Sequence, residues 1–148
     1  MVKVIGLCGS IAAGKGAVSE YLVKELGYIQ VTVGDVVREA LKSKGLEITR
    51  DNSDMLSEEM REKHGVTYWV SQVAKKIKEQ GYEKAIVDGV RAPTDDALFR
   101  KEFGKDYVLF KVDAAAKVRF ERLRLRARPG FPKTFEEFKQ HIADGTIY

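Results

Sequence analysis

A lysine preceded by spaced glycines, Gly9-x-x-x-x-Gly14-Lys15-Gly16, is the pattern in this sequence whose residue types and spacing most directly imply chemistry. Glycines let successive backbone N–H groups converge on phosphate oxygens with no Cβ in the way, and a helix starting at the loop adds the partial positive charge of its N-terminus. Lys15 then reaches the β- and γ-phosphates of a nucleoside triphosphate. Gly9, Ser10, Ala12, Ala13, Gly14, Lys15, Gly16 and Ala17 are therefore the candidate ATP-binding residues. Gly16 stands where the general motif carries a Ser or Thr that ligates Mg²⁺, and Ala17 follows it. Neither has a hydroxyl, so the metal shell is expected to be completed by water, ligand oxygens or a carboxylate elsewhere. Asp88, at the end of the apolar run Ala85-Ile86-Val87, is the candidate carboxylate, acting through water.

Cations supply the rest of a phosphate-handling set. Arg38 falls on the first turn of a helix, where a guanidinium can be aimed back toward the end of the preceding strand, the edge at which parallel sheets hold ligands. Arg119, Arg122, Arg124, Arg126 and Arg128 crowd into one later helix. Arg122 and Arg126 are four apart and share a face. A solvated basic face is the reading for Arg119, Arg124 and Arg128, because five arginines exceed what one phosphoryl group requires.

These residues must be positioned by alternating strands and helices. Val2, Val4, Ile5 and Leu7 read as a buried strand before the glycine loop, and Ala17 to Leu26 as the helix after it, ended by Gly27. Tyr28 to Val33 alternates as a second strand, followed by a helix with Asp35 as N-cap and Val36, Val37, Ala40 and Leu41 as its apolar face. From Gly45 to Gly81 the chain turns polar and helical: Asn52 or Ser53 caps one helix, Gly65 stops it, and Thr67 starts another with Val70, Val73, Ala74 and Ile77 buried. Tyr68 and Trp69 are expected in the core, with base stacking as the alternative, and Thr49-Arg50-Asp51 is a candidate substrate contact. His64 reads as a helix-end residue and lacks partners for a metal site. A helix over Asp96 to Phe103, a strand over Tyr107 to Val112, the arginine-rich helix Lys117 to Arg128, a helix Thr134 to Gln140 and a short strand Thr146-Ile147-Tyr148 complete the chain. The pattern predicts an α/β fold with a five-stranded parallel sheet of order 2-3-1-4-5.

Gly14-Lys15-Gly16, Gly34-Asp35-x-x-Arg38, Asp88-Gly89-x-Arg91 and the arginines nine and thirteen residues after Asp113 together resemble the adenylate-kinase-like nucleoside monophosphate kinases. The resemblance covers most of the chain and weakens after Pro129. It implies a three-layer P-loop NTPase fold, a single kinase domain over residues 1–148 with a helical acceptor-binding lobe at 45–81, and a minimal lid at 128–134. It also implies that Gly34, Arg38, Gly89 and Arg91 bind the acceptor, and that Arg122 and Arg126 act with Lys15 on the transferring group. Two departures stand out. The family threonine near the acceptor base is Val33 here, and Arg91 matches an acceptor-phosphate arginine only after a one-residue gap. The implied activity is transfer of the ATP γ-phosphoryl group, with Mg²⁺, to a nucleoside monophosphate, AMP being the first guess. A dephospho-coenzyme A kinase is the enzyme alternative. A nucleotide-binding regulatory or RNA-associated module with weak ATPase activity is the alternative of a different class.

Composition bounds these readings. With 148 residues, 44% of them hydrophobic, the chain can bury one compact core. A net charge of +4 suits an anionic small-molecule substrate and leaves nucleic acid open as a partner of second rank. Cys8 is the only cysteine, so no intrachain disulfide forms and a buried small side chain is its expected role. No basic leader, cleavable apolar segment or run of about 18 apolar residues is seen, which predicts a soluble, cytoplasmic protein with no membrane partner.

Overall fold

Glycine sets both ends of the first βα unit. β1 (Val4–Cys8) passes into the loop, and α1 (Lys15–Leu26) begins at the lysine itself, with Gly14 at φ 112° as its N-cap. Gly27 ends α1 in the left-handed conformation, its N–H donating to the Leu22 carbonyl. The computed structural model describes residues 3–126 and 131–143. After α1 come β2 (Ile29–Val31), α2 (Val33–Ser43), α3 (Arg50–His64), α4 (Tyr68–Glu79), β3 (Ala85–Asp88), α5 (Pro93–Phe103), a 3-10 turn at Gly104–Asp106, β4 (Tyr107–Lys111), α6 (Ala116–Arg126) and α7 (Phe135–Ala143).

Helix starts differ from expectation where a hydroxyl precedes the expected cap. Thr32, not Asp35, caps α2: its Oγ1 accepts the Asp35 N–H at 3.1 Å while the Asp35 carboxylate accepts the Thr32 N–H at 2.8 Å. Thr49, not Asn52 or Ser53, caps α3 by accepting the Asn52 N–H. Thr67 and Gly65 bound the neighbouring helices as the sequence indicates. α5 starts before Asp96, at Pro93, because proline lacks the N–H that a first-turn residue would leave unpaired, and Asp95 takes up the N–H groups of Arg91 and Ala92.

The sheet is parallel with order β2-β3-β1-β4. Among the described residues it has four strands rather than five; the expected fifth, Thr146 to Tyr148, lies outside the described residues. Side chains alternate across it with the period of two that strands impose. Val4, Val31, Ala85 and Val87 face a core built with Val36, Val37 and Leu41 of α2, Leu56 of α3, Trp69, Val73, Ala74 and Ile77 of α4, and Phe99 of α5. Ile5, Leu7 and Ile86 face the other way, against Leu22 of α1 and Tyr28. A third cluster joins Ala12 of the glycine loop to Phe120 and Leu123 of α6 and Phe138 of α7. The helices of residues 45–81 thus share the main core with the sheet.

Gly6 lies in the middle of β1 because Tyr107 crosses it: a Cβ there would sit 2.5 Å from the phenolic oxygen. Burial, followed by the neighbouring Asp96 carboxylate, pushes the Tyr107 phenol well up, so it stays protonated. Among the described residues no helix is long and apolar enough to cross a membrane.

Candidate active site at the C-terminal edge of the sheet

Parallel strands end on the same side, so the C-terminal residues Cys8, Val31, Asp88 and Lys111 line up along one edge. The loop between β1 and α1 crosses the end of β4. Gly9 has φ 139°, and a Cβ on it would overlap the Val112 carbonyl oxygen, so glycine alone fits. Ala12 is the one described non-glycine residue with positive φ, at 59°. Holding an L-residue there costs roughly 1–2 kcal/mol, offset here by burying its methyl against Phe120, Leu123 and Phe138.

Lys15 folds over its own loop, Nζ donating to the carbonyls of Gly9 at 2.7 Å and Ser10 at 3.2 Å. An ammonium has three donors, so one is left for a ligand at the loop's mouth. From the far end of the chain, Arg122 Nη1 donates to the carbonyls of Ala12 and Ala13, both at 3.0 Å. α6 is thereby fastened to the loop. Arg126, one turn further on, is exposed and makes no hydrogen bond or ion pair among the described residues. Arg124 lies on a solvated face as expected, its guanidinium forked onto Glu121. Arg119 does not: it is buried beneath Phe138. Arg128 and the first part of the expected lid, residues 128–130, lie outside the described residues.

On the other side of β1, Asp88 closes β3 directly opposite Leu7, half-buried and without a hydrogen bond or ion pair among the described residues. The N–H groups of Gly89 and Val90 both donate to the Leu7 carbonyl at 3.1 Å, which pins this turn beside the loop. Gly89 has φ 90°, and Arg91 is exposed just beyond it. Water-mediated binding of Mg²⁺ fits this arrangement: a free carboxylate stands beside the loop, and the helix start offers no hydroxyl. No group of three or more acidic, His or Cys residues among the described ones could hold a metal unaided.

At the end of β2, Arg38 is held by Asp35, Nη2 donating to Oδ1 at 2.6 Å. Gly34 makes room: a Cβ there would lie 3.1 Å from Arg38 Nη1. Burial raises the Asp35 pKa, but hydrogen bonds from Thr32 and the Arg38 guanidinium outweigh it, and the carboxyl ends below its ordinary value. Asp35 and Arg38 line a groove of about 310 Å³ with Gln30, Lys42, Lys76 and Tyr82. A larger groove of about 760 Å³ runs between α2 and α4, and neither contains the glycine loop. Trp69 is core, its Nε1 donating to the Ser57 carbonyl, while Tyr68 stacks on His64 at 4.8 Å. In the Thr49-Arg50-Asp51 stretch, Arg50 and Asp51 are exposed, and Arg50 faces Asp54 at 3.7 Å.

Sequence reasoning missed three features here. Thr32 had a signal, the hydroxyl-x-x-acid spacing of Thr32 and Asp35. The left-handed Ala12 had none, because alanine does not mark a positive φ, and the burial of Arg119 had none, because it depends on α7 packing across α6.

The fold and this loop define a P-loop kinase-like nucleotide-binding domain. The chain belongs to the AAA domain family, matched over residues 8–139, and to the UPF0200 proteins. The Hyperthermus butylicus UPF0200 protein is 39% identical over 140 residues, covering 95% of this chain and 72% of that one. The Archaeoglobus fulgidus UPF0200/UPF0201 protein is 36% identical over 141 residues, and the chain spans only 43% of its length. Among solved structures, a gluconokinase from Sinorhizobium meliloti 1021 shares the fold with a TM-score of 0.56 at 16% identity, covering 96% of this chain and 74% of the other. A chain of the Pnkp1/Rnl/Hen1 RNA repair complex does so with a TM-score of 0.56 at 11% identity, covering 95% and 43%. The comparisons support a P-loop kinase-like fold and do not single out the adenylate kinases.

Proposed function

We propose that the chain is an ATP-dependent phosphotransferase that moves the γ-phosphoryl group to a nucleoside monophosphate, with AMP the first acceptor to test. The observation that carries this reading is the convergence of Lys15 and Arg122 on the carbonyls of one glycine loop, with Asp88, unpaired among the described residues, beside it. Backbone amides of Gly9 to Gly16 hold the donor phosphates, and Lys15, Arg122 and Arg126 neutralise charge as the phosphoryl group passes. Arg38, set by Asp35 over Gly34, takes the acceptor phosphate, with Gly89 and Arg91 completing that side. An acceptor phosphate oxygen attacks the γ-phosphorus in line, the bond to the β,γ-bridging oxygen breaks, and ADP leaves. Asp88 would hold Mg²⁺ through water, and the ion, when bound, supplies further neutralisation of the β- and γ-phosphates.

A panel of acceptors incubated with labelled ATP tests the reading: AMP and the other nucleoside monophosphates, dephospho-coenzyme A, gluconate and an RNA. A labelled nucleoside diphosphate is the expected product. Label on another acceptor would move the substrate class, and free phosphate alone would point to a nucleotide-binding module. Lys15→Met should lower turnover at least about a hundredfold with the fold intact, the scale of losing one preorganised charge donor. Unchanged turnover in a folded Lys15→Met protein would remove the loop from the chemistry.

A further inference from the structure

Arg119 is the only charged side chain among the described residues that is buried, at 6% exposure. It sits in the first turn of α6 with its guanidinium carbon 5.4 Å from the centre of the Phe138 ring, itself fully buried in α7. Its Nε is sealed from solvent with no hydrogen-bond partner, and the guanidinium makes no hydrogen bond or ion pair among the described residues. Other arginines find carboxylates readily: Arg38 has Asp35, Arg100 has Asp96 and Arg124 has Glu121. Among the described residues no carboxylate pairs with Arg119. A guanidinium cannot escape burial by losing its proton, and stacking on a ring recovers only part of the lost hydration.

The stored cost points to an anion that arrives from outside. Arg119, Arg122 and Arg126, spaced by three and four, lie along one face of α6. Arg122 lays that face on the carbonyls of Ala12 and Ala13, and the cluster containing Phe138 also contains Ala12. We infer that Arg119 is a further anion-binding residue of the donor site, taking a phosphate oxygen of the bound nucleoside triphosphate. The inference rests on the proposed function in that a triphosphate occupies the loop. Arg122 already spends hydrogen bonds on loop carbonyls, whereas Arg119 makes none among the described residues and its guanidinium carbon lies 5.4 Å from the Phe138 ring, which leaves its charge for a phosphate.

A purely structural Arg119, gluing α6 to α7 through Phe138, makes a different prediction, and Arg119→Met separates the two. Methionine keeps an unbranched stem whose thioether can contact the ring, while removing the charge. The expected result is a melting temperature without ligand at or above that of the unsubstituted protein, together with at least about a tenfold weaker calorimetric Kd for ATP and for inorganic tripolyphosphate. ATP and tripolyphosphate affinities within twofold of the unsubstituted protein would overturn the inference. Should Arg119→Met fail to fold, hydrogen exchange on the unsubstituted protein decides: tripolyphosphate should protect the amides of residues 116–126, and no protection there would overturn the inference. The unsubstituted protein and Lys15→Met serve as controls. If the unsubstituted protein binds neither ATP nor tripolyphosphate, the kinase reading itself falls; if it binds both and Lys15→Met does not, an unaltered Arg119→Met defeats this inference alone.

Discussion

Asp35 governs where Arg38 points. Its carboxylate accepts from the Thr32 N–H, the Thr32 hydroxyl and the Arg38 guanidinium at once, so a helix cap and a candidate acceptor-phosphate ligand share one side chain. Its folded pKa is depressed, so the stability it contributes is fully present above the unfolded value of about 3.9 and is lost as pH falls through the lower folded value. Asp35→Asn keeps a cap acceptor but abolishes the ion pair. Below about pH 4 the variant should lose less stability on acidification than the unsubstituted protein, as read from denaturant midpoints between pH 5 and pH 3. Parallel acid limbs would show that the carboxylate is not linked to folding. In activity assays with an acceptor, the variant should raise KM for the monophosphate and leave KM for ATP in place, because only the acceptor side loses its positioned cation. Arg38→Lys should do the same, since an ammonium cannot reproduce a bidentate contact. An equal rise for both substrates would take Arg38 out of the acceptor site.

α7 and the glycine loop meet through α6. Phe138 is fully buried between Phe120, Phe135 and the Arg119 guanidinium, and the same cluster takes in Ala12 at the loop's left-handed turn. Emptying that space removes a large apolar side chain and leaves a cavity, so Phe138→Ala should destabilise by about 3–5 kcal/mol in chemical denaturation. Phe138→Leu, closer in volume, should cost less. The Leu variant still removes the ring that lies against Arg119 and shares the Ala12 cluster, so its ATP affinity should fall while its fold persists. Unchanged ATP affinity in Phe138→Leu would uncouple α7 from the donor loop.

For the molecule as a whole, the arrangement predicts a site largely formed before substrate arrives. Arg122 rests on the loop, and α6 and α7 are packed to each other and to Ala12 by apolar contacts of the chain itself. Lid closure in such enzymes excludes water so that the γ-phosphoryl group meets the acceptor. If the lid is the minimal stretch 128–134 that the resemblance implies, closure should be slight and some water should reach the phosphoryl group. Phosphate release from ATP should therefore be measurable without AMP and should drop when AMP is added. ATP-bound and free structures should superpose over residues 116–126. Tight coupling with no hydrolysis, or a large ordered movement of residues 131–143 on binding, would show a working lid.

What the sequence determined by itself was whatever depends on local sterics. Gly9, Gly14 and Gly27 mark places where a Cβ cannot fit or a left-handed turn is needed, and the periods of two and about 3.6 place β1 to β4 and most helices, because these demands are met within a few residues. Parallel strands then bring Lys15, Arg38, Asp88 and Arg91 to one edge. Only the tertiary structure decided the rest. A basic helix looks solvated until another helix covers it, and the seclusion of Arg119 follows from α7 folding across α6. Trp69 is core as its sequence indicated, whereas Tyr68 beside it, expected there too, stays half-buried and stacks on His64, a difference set by how α4 settles on the sheet. Burial is a property of what packs over a residue, and for these side chains the covering residues come from other elements of the chain.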